Sequence, residues 1–365
     1  MYIKKLTLTN YRNYSSQEFE FVDGINILKG NNAQGKTNSA EAIFFLCTGY
    51  SPRATRDKQV IKYNESSARI KGVASSIYGD IEVEISFNAS KNKEILVNGV
   101  PIKKIGELMG NINSVFFNPE ELKLIKESPE DRRRFIDISI SQMNRGYFYA
   151  LQKYKKILGE RNNLLKNPDK EVVYETLPLW DEQLAIQAEI IINERLKFIE
   201  KLKPYAKEAH SFITENKETL DISLECSYLN EYESVKDSLF RALSERIERD
   251  IILGYTSAGP HRDDLKIKLN GEDVRLYGSQ GQQRTCALSL KLAELEIFKE
   301  RFNEYPVLIL DDALSELDKN RRERLLQKVN NLQTIITCTD FFEYDSIKGN
   351  VRRFEIEDGK IKSIE

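Results

Sequence analysis

Residues that usually build metal centres and disulfide frameworks are scarce in this sequence. Among 365 residues there are four cysteines, none of them in a C-x-x-C pair, and two histidines. Cysteines scattered in this way argue against structural zinc and against a set of disulfides, and two histidines leave little scope for histidine-based metal chemistry. We interpret the cysteines as buried thiols of a protein that works in a reducing compartment.

Long apolar runs and a large net charge are missing as well. No apolar stretch approaches the roughly 20 residues of a membrane-spanning helix, and the first residues, MYIKKLTLTNYRNY, lack the apolar core of a signal peptide. We therefore expect a cytoplasmic protein with no membrane partner. The 55 basic and 57 acidic residues nearly cancel, so nucleic acid would bind through local patches rather than an overall basic field.

The pattern that is present is that of a two-part α/β protein. Residues 1–118 and 252–365 alternate strands with helices, whereas residues 119–251 repeat their apolar positions at helical spacing. We predict an α/β domain that is split in sequence into these two halves, with a mostly helical second domain inserted between them. Turns at 167–170 and 177–178 divide the insertion, so we expect helices too short for an extended coiled-coil arm.

Several segments show the period-two alternation or the short apolar runs of strands. The segments 68–79 and 80–88 alternate as antiparallel strands do, and Asn98-Gly99 is a typical hairpin turn. Residues 280–302 predict one long helix. Further strands are predicted at 2–9, 25–30, 307–312 and 334–340, and further hairpins at 264–276 and 351–365.

The segment GNNAQGKT has the G-x-x-x-x-G-K-T pattern of a phosphate-binding loop, between an apolar strand and a helix predicted at 37–50. Its two glycines let successive backbone amides turn inward, and the helix N-terminus adds partial positive charge. Lys36 would reach the β- and γ-phosphates of ATP, and Thr37 would give its hydroxyl to Mg²⁺. The predicted nucleotide-binding residues of this phosphate loop are Gly30, Asn31, Asn32, Ala33, Gln34, Gly35, Lys36 and Thr37.

A second segment, VLILDD at 307–312, supplies the acidic part of such a site. Four apolar residues predict a central strand that ends in two aspartates. Asp311 can hold Mg²⁺, and Asp312 can orient or deprotonate the attacking water. We name Asp311 and Asp312 the aspartate pair.

The signature segment, YGSQGQQRTCALSL at 277–290, is a candidate second anion site. Ser279 and Gly281 open a helix, where a hydroxyl and free backbone amides can bind an anion. Because the phosphate loop already holds the γ-phosphate of its own nucleotide, this site makes sense in trans, on the nucleotide of a partner subunit. The alternative is an ordinary N-cap in front of a helix that packs in the core.

The order of these motifs resembles the head of ABC-type ATPases. The phosphate loop, SQGQQ, and VLILDD followed by SELD at 315–318 occur in that order, and SELD is similar to the D-loop of that class. More narrowly, the chain resembles the bacterial RecF family, in the SMC-related branch, from residue 2 to about 340. The segments that carry this resemblance are NYRNY, GNNAQGKTN, SPEDRRRFID (128–137), TSAGPHRDDL (256–265), GSQGQQR (278–284) and LDDALSELD (310–318).

The resemblance implies a DNA-binding ATPase of replication and recombinational repair, acting in the response to DNA damage. It implies a homodimer that closes with ATP and Mg²⁺ between the subunits, binds duplex DNA and single-strand/duplex junctions without sequence preference, and hydrolyses ATP slowly. With RecO and RecR, such a protein assists the loading of RecA at single-strand gaps.

The resemblance also implies roles for individual residues. Lys36, Asp312 and Ser279 would act in catalysis, and Thr37 and Asp311 would hold Mg²⁺. Further contacts to nucleotide are implied for Arg12 and Asn13, for Gly281 and Gln282 of the signature segment, and for Asp318 on the D-loop.

Two positions depart from the wider ABC-type pattern. Asn118 stands where transporter ATPases place a glutamine, and Thr339 and Asp340 stand in place of their histidine switch. These departures argue against a transporter ATPase, and they leave the γ-phosphate sensor unassigned.

Other polar residues allow two interpretations. They can serve phosphate contacts, nucleotide sensing or a subunit interface, or they can be solvated or structural. These are the arginines of SPEDRRRFID (Arg132, Arg133, Arg134), the pair His261 and Arg262, and two candidate DNA patches, one of Arg53, Arg56, Lys58 and Lys62 and one of Lys153, Lys155, Lys156 and Arg161.

Three rival functions stay open at this point. The first is the nucleotide-binding ATPase subunit of an ABC-type system that does not act on DNA. The second is a nuclease-linked relative of the same head, which would need a further acidic metal cluster. The third is a DNA-binding partner that no longer hydrolyses ATP, since turnover cannot be decided from these residues.

Overall fold

A computed structural model of the chain describes residues 1–315, 317–339 and 349–365. The strands, in chain order, are β1 (Tyr2–Tyr11), β2 (Tyr14–Glu20), β3 (Ile25–Lys29), β4 (Ser67–Ser76), β5 (Gly79–Asn88), β6 (Glu94–Val97), β7 (Val100–Pro101), β8 (Ser114–Phe117), β9 (Leu220–Glu225), β10 (Asp264–Leu269), β11 (Glu272–Asp273), β12 (Val307–Asp311), β13 (Thr334–Cys338), β14 (Val351–Glu357) and β15 (Lys360–Ile364).

The α-helices are α1 (Lys36–Thr48), α2 (Lys123–Lys126), α3 (Pro129–Met143), α4 (Arg145–Leu164), α5 (Lys170–Thr214), α6 (Val235–Glu245), α7 (Ile247–Leu253), α8 (Val274–Tyr277), α9 (Gln280–Phe302) and α10 (Lys319–Lys328). Short 3-10 turns lie at Asp57–Val60, Ile105–Glu107, Pro119–Leu122 and Pro260–Arg262.

The chain forms two compact units. Unit 1 comprises Met1–Glu121, Glu208–Glu218 and Arg284–Glu365, and unit 2 comprises Leu122–Lys207 and Thr219–Gln283. This division differs from the segments 1–118, 119–251 and 252–365 because α5 and α9 each continue from one unit into the other. The predicted domain boundaries stay a prediction.

A mostly parallel sheet forms one half of unit 1, with the strand order β15-β14-β3-β13-β12-β8. Strands β12 and β13 are buried along their whole length, as strands covered on both faces are, and α1 contacts both of them. The strands predicted at 25–30 and 307–312 are confirmed, as is the closing hairpin of β14 and β15. The carboxyl ends of β3, β12 and β8 meet at one edge, where ligands bind in open α/β sheets.

The second sheet of unit 1 is antiparallel, with the order β2-β1-β4-β5-β6-β7. The predicted strands over 68–88 are confirmed as β4 and β5, in which buried residues alternate with half-buried or exposed ones. Asn98 and Gly99 form the predicted hairpin turn, both with positive φ. Such φ values are what a tight two-residue turn requires.

Unit 2 is mostly helical, with a three-stranded sheet of order β11-β10-β9. The predicted break at 177–178 is wrong, because Pro178 lies inside the 45-residue helix α5. Val173 and Leu177 are buried before it, and Leu184 after it. Packing of this apolar face offsets the hydrogen bond that a proline inside a helix removes.

Two further predictions have different outcomes. The long helix predicted at 280–302 is confirmed as α9, with the predicted bounds. The hairpin predicted at 264–276 is shorter than expected, since β11 has two residues and the chain turns into α8 at Val274. Among the described residues, no helix has the length and apolar character that crossing a membrane requires.

Candidate functional site

The phosphate loop leaves β3 and enters α1, and glycine is required at both of its ends. A Cβ at Gly30 would stand 2.3 Å from the carbonyl oxygen of Ile356. At Gly35 the φ angle is 117°, and a Cβ would meet the Tyr14 hydroxyl at 2.8 Å. Any larger residue at either end would therefore displace β14 or the chain around Tyr14.

Side chains from outside the phosphate loop hold its second half in place. The Tyr14 hydroxyl donates to the Gly35 carbonyl at 3.0 Å. Asn13 donates through Nδ2 to the Gln34 carbonyl at 2.9 Å, and the amide of Gly359 donates to the same oxygen at 3.1 Å. The loop is thus shaped by the protein itself, which reduces the ordering needed when phosphate binds.

Lys36 lies beneath the loop with 7% of its surface exposed. Its ammonium donates to the carbonyls of Gly30 and Asn31, the latter at 2.9 Å. Burial lowers the pKa of Lys36, against the attraction of Asp312, Cys338 and Asp311. An anion in the loop would stabilise the charged form of this lysine, as a phosphate-binding site requires.

Thr37 and Asp311 come together although they are far apart in sequence. The Thr37 hydroxyl donates to Asp311 Oδ1 at 2.9 Å. Burial raises the pKa of Asp311, while hydrogen bonds from Thr337 and Thr37 and the charge of Arg53 act in the opposite direction. A cation bound beside this carboxylate would favour its ionised form.

These two oxygens fit the requirements of Mg²⁺. This cation prefers hard oxygen ligands and usually takes one or two from the protein, with water and phosphate completing the octahedron. In the part of the chain that the structure describes, no three histidine, cysteine or acidic side chains cluster as a metal cage. The hydroxyl of Thr37 and the carboxylate of Asp311, 2.9 Å apart, are the groups that would hold Mg²⁺.

The second member of the aspartate pair is arranged differently from the first. Asp311 is buried, whereas Asp312 is exposed and has a left-handed backbone with φ of 51°. The Asp312 amide donates to Thr337 Oγ1 at 2.9 Å, and its carbonyl accepts from the Ser315 hydroxyl at 2.8 Å. Unfavourable backbone conformations of this kind are often retained at functional sites.

The structure places Arg12 and Asn13 against the loop and α1. The Arg12 guanidinium binds both oxygens of the buried Glu41, at 2.7 and 2.9 Å. Asn13 Oδ1 accepts from Asn38 at 2.9 Å, in addition to the bond from Nδ2 to Gln34. Both side chains therefore support the loop and its helix, and their contact with nucleotide stays a prediction.

Asn118 follows β8, whose last residue, Phe117, pairs with Leu310 of β12. Continuing this parallel register places Asn118 beside Asp311. The side chain is 7% exposed, and its Oδ1 accepts no hydrogen bond from the described residues. Because a buried acceptor without a partner is rare, Asn118 is a candidate to serve the site from the position of the missing glutamine.

Arg53, a member of one candidate DNA patch, is exposed and also belongs to the surroundings of the site. It donates to Asn38 Oδ1 in α1 at 3.4 Å, and its charge acts on the Asp311 carboxylate, so its contact with DNA stays a prediction. Its closeness to Asp311 depends on how the loop after α1 folds back, which no local sequence pattern indicates.

The signature segment begins with a reciprocal cap. The Gln282 backbone amide donates to Ser279 Oγ at 3.3 Å, and the Gln282 side-chain oxygen Oε1 accepts from the Ser279 backbone amide at 2.8 Å. Ser279 is exposed, and Gly281 and Gln282 are half-buried. This cap satisfies the helix end, and the action of these residues on the nucleotide of a partner stays a prediction.

Asp318 of the SELD segment caps α10, with its side chain accepting from the Arg321 backbone amide at 3.0 Å. Asp318 is exposed, whereas its neighbour Leu317 is buried. Thr339 is exposed at the end of β13. Glu316 of SELD and Asp340, which was considered at the histidine position, lie outside the described residues.

The segments SPEDRRRFID and TSAGPHRDDL bind each other within unit 2. Arg132 forms two hydrogen bonds with the Asp264 carboxylate, at 2.6 and 2.9 Å, and Arg133 donates to the Asp263 carbonyl at 2.6 Å. These contacts favour the structural interpretation of Arg132 and Arg133.

His261 is also integrated into unit 2. Its Nδ1 lies 2.6 Å from the Tyr154 hydroxyl, and its Nε2 lies 3.0 Å from the Thr256 carbonyl. Because Nε2 must donate to this carbonyl, Nδ1 is free to accept from Tyr154, as in a neutral imidazole. Burial lowers the pKa of His261 to about 4.

The placement of Arg161 in a DNA patch is wrong. Arg161 is fully buried and paired with Asp181 and Asp250. Two buried carboxylates draw the guanidinium inward, against the usual surface preference of arginine. Lys153, Lys155 and Lys156, on the same helix, are exposed.

A family model described as the RecF/RecN/SMC N terminal domain matches residues 2–361. The chain is 44% identical over 363 residues to the DNA replication and repair protein RecF of Clostridium perfringens (strain SM101 / Type A), a match that covers 99% of this chain and 100% of that protein. It is similar to a solved structure described as the recombination mediator protein RecF-ATPrS in the RecFOR pathway. That match has a TM-score of 0.91 and 38% identity and covers 99% and 97% of the two chains.

The fold is also shared more widely. A crystal structure of an SmcHead bound to the C-winged helix domain of ScpA has a TM-score of 0.59 at 17% identity, over 100% of this chain and 97% of that one. Identity at this level shows likeness of fold alone. The predicted fold class, an ABC-type ATPase head split in sequence around a mostly helical part, is confirmed.

Proposed function

Since this chain belongs to the RecF family of DNA replication and repair proteins, we propose that it is an ATP-gated DNA-binding protein of recombinational repair. Binding of ATP with Mg²⁺ closes a homodimer on duplex DNA or a single-strand/duplex junction, and slow hydrolysis releases it. In the cell it assists RecA loading at single-strand gaps with RecO and RecR. The support for these steps is the family and a relative described as bound to ATPrS in the RecFOR pathway.

The observation that carries the proposal is the convergence of three groups at one edge of the parallel sheet. Lys36 lies under the phosphate loop, and the Thr37 hydroxyl meets the Asp311 carboxylate at 2.9 Å. A cation for phosphate and two oxygens for Mg²⁺ are what nucleoside triphosphate binding needs. The exposed Asp312 adds a carboxylate that solvent can reach.

The phosphate loop, Lys36 and Asp312 have separate roles in the proposed ATP hydrolysis. The loop amides and Lys36 bind the β- and γ-phosphates and stabilise the charge that develops during transfer. Mg²⁺, when bound, neutralises negative charge on the transferred phosphoryl group. Asp312 orients the attacking water and accepts its proton.

The signature segment completes the site in trans. We propose that Ser279, Gly281 and Gln282 of one subunit contact the γ-phosphate held by the other, and that Asp318 lies at the same interface. The exposed hydroxyl of Ser279 at a helix start supports this assignment, because helix N-termini bind anions. A dimer requirement of this kind makes DNA release depend on hydrolysis.

DNA contact is proposed to be directed to the phosphate backbone. Arg56, Lys58, Lys153, Lys155 and Lys156 are exposed, and the sequence contains no module that reads bases. Lysine and arginine contacts to phosphates give affinity that is independent of sequence and falls with salt.

The first experiment is binding of a fluorescent duplex, measured by anisotropy with and without ATP and Mg²⁺ across a salt series. Tight binding only with ATP, insensitive to sequence and falling steeply with salt, is expected. The Lys36→Met variant is the matched control and should bind DNA no better with ATP than without it.

The rival function is an ABC-type ATPase subunit that does not act on DNA. It predicts nucleotide binding with no duplex binding in either condition, and this result would overturn the proposal. ATP-independent DNA binding would instead contradict the ATP gate.

A further inference from the structure

The buried hydroxyl of Thr337 lies between the two aspartates of the pair. Thr337 is the cross-strand neighbour of Asp311 in the parallel pairing of β12 with β13, and it is 1% exposed. Its Oγ1 lies 2.7 Å from Asp311 Oδ1 and 2.9 Å from the backbone nitrogen of Asp312. One hydroxyl therefore contacts both residues that carry the acidic part of the site.

The direction of these two hydrogen bonds is fixed by chemistry. A backbone amide can only donate, so the Thr337 oxygen accepts from Asp312. A hydroxyl has a single proton, which is left for the Asp311 carboxylate. The result is a chain in which the Asp312 amide donates to Thr337 and Thr337 donates to Asp311.

The two ends of this series of hydrogen bonds constrain two different groups, the carboxylate of Asp311 and the backbone of Asp312. At Asp311, the Thr337 and Thr37 hydroxyls donate to the same oxygen, Oδ1, so both orient the carboxylate that would hold Mg²⁺. At Asp312, the backbone is left-handed with φ of 51°, a conformation that non-glycine residues seldom adopt. Hydrogen bonding of the amide to Thr337 helps to keep Asp312 in that conformation, and the backbone sets the direction of its side chain.

We propose that Thr337 is a positioning residue that couples the Mg²⁺-holding carboxylate of Asp311 to the backbone of the catalytic Asp312. It is buried and acts through the two aspartates. The inference rests on the proposed function, because it assumes that these aspartates serve Mg²⁺ and the attacking water. Threonine suits this task because branching at Cβ restricts its χ1 angle in a strand.

The same strand contains a threonine that serves as a matched control. Thr334, at the start of β13, is fully buried and donates its hydroxyl to the Leu332 carbonyl at 3.4 Å. Replacing either threonine by valine keeps shape and burial and removes one hydroxyl. Only the change at Thr337 removes contacts to the aspartate pair.

The first test needs neither nucleotide nor metal. Hydrogen exchange of the Asp312 amide, followed by NMR, should become about 3- to 10-fold faster in Thr337→Val, because the amide loses its acceptor. Thr337→Ser should exchange like the wild type, and so should Thr334→Val. Unchanged exchange in Thr337→Val would contradict the proposal.

The second test separates positioning from general damage. In single-turnover hydrolysis, Thr337→Val should lower the rate constant about tenfold or more, with ATP affinity kept within about twofold, because Thr37 still donates to Asp311 while Asp312 loses the acceptor of its backbone amide. Thr337→Ser should recover the rate. An equal loss in Thr334→Val, or no recovery with serine, would overturn the proposal.

Two further outcomes are also decisive. If Thr337→Val does not fold, Thr337→Ala removes the same hydroxyl without a branched side chain and must give the same exchange and rate changes. A wild-type chain that binds ATP without hydrolysing it would contradict the proposed function and the catalytic part of this inference. Unchanged exchange at Asp312 would contradict the positioning inference alone.

Discussion

The buried charges of the phosphate loop and aspartate pair in unit 1 and those of two arginines in unit 2 have different kinds of partner, although unit 1 also contains the ion pair of the buried Glu41 with Arg12. In unit 1, Lys36 donates to backbone carbonyls and Asp311 accepts from hydroxyls, so each finds neutral partners. In unit 2, two buried arginines are each paired with two carboxylates. The pairs are Arg161 with Asp181 and Asp250, and Arg195 with Asp137 and Asp263.

The difference indicates which buried charges serve a ligand. Neutral partners satisfy hydrogen bonds and leave the charge itself uncompensated, and burial lowers the pKa of Lys36 and raises that of Asp311. Burial also raises the pKa of the paired Asp181 and Asp263, so the contrast depends on the partners and not on the direction of the pKa shift. Carboxylate partners neutralise the charge of an arginine within the protein, so no uncompensated charge remains to bind a ligand. We expect mutations in the first region to affect binding and mutations in the second to affect folding.

The largest expected effect is on the stability of unit 2. Arg161→Met leaves Asp181 and Asp250 buried without their counterion, and removal of one partner from a buried ion pair costs about 3–5 kcal/mol. Urea unfolding should show this loss at pH 7. Lys155→Met, on the exposed side of the same helix, should change stability by less than about 0.5 kcal/mol. A loss below about 1 kcal/mol in Arg161→Met would remove the contrast between the two units.

Lys36→Met tests the other side of the contrast. Loss of charge-assisted hydrogen bonds to phosphate should weaken ATP binding about 100-fold, roughly 3 kcal/mol, and abolish ATP-dependent dimerisation. Stability should hold within about 1 kcal/mol, because a buried ammonium with neutral partners is replaced by an apolar chain. Calorimetry measures ATP binding and ultracentrifugation measures ATP-dependent dimerisation, with Lys29→Met as the control. Retained ATP-dependent dimerisation would contradict the assignment of the phosphate loop.

The half-buried His261 of unit 2 gives a pH-dependent test. Its pKa is lowered to about 4 by burial, against an unfolded value of about 6.5. The neutral form is favoured by folding, so its contribution to stability is complete above pH 6.5 and is lost as the pH falls towards 4. Between pH 7.5 and 5 this amounts to about 2 kcal/mol.

The measurement for His261 compares urea unfolding of the wild type and His261→Gln across that range. The stability advantage of the wild type should shrink on acidification, while ATP affinity of the variant stays unchanged at pH 7.5. An advantage that does not vary with pH would show that His261 titrates normally.

Ser279 is exposed, so it lies outside the contrast between buried charges with neutral partners and those with charged partners. A change at this position should have only a small effect on stability. Ser279→Arg should cost about 1 kcal/mol through the lost cap, leave ATP binding by the monomer unchanged and block dimer closure. Ser234→Arg removes the equivalent cap of α6 and should cost the same without affecting the dimer. Loss of monomer ATP binding in Ser279→Arg would contradict the action in trans.

The sequence predicted what local pattern determines. Helix α9 was predicted with its observed bounds, and β12 ends at Asp311, one residue before the predicted end. The phosphate loop, too, lies between its strand and helix, because glycine spacing and flanking apolar runs are local features. Pro178 was misinterpreted, since the packing that keeps α5 continuous there comes from other parts of the chain.

Parts of the site depend on contacts that no local pattern shows. Outside the site, Arg161 of unit 2 is buried because two aspartates on other helices pair with it, which its own segment does not indicate. Arg53 acts on Asp311, and Thr337 bonds to both aspartates, because the fold brings three distant segments together. Physical proximity across the sheet, rather than residue type, identifies these residues.

The pairing of β3 has a consequence for how the protein is made. This strand leads into the phosphate loop, yet its neighbours in the sheet are β13 and β14, and the Gln34 side chain accepts from the Asp358 amide, 324 positions away. Contacts of such separation form late, because a long loop must close first. A growing chain on the ribosome therefore presents β3 before its partners in the sheet, and we expect the phosphate loop to reach its final conformation only after residues beyond 350 have emerged.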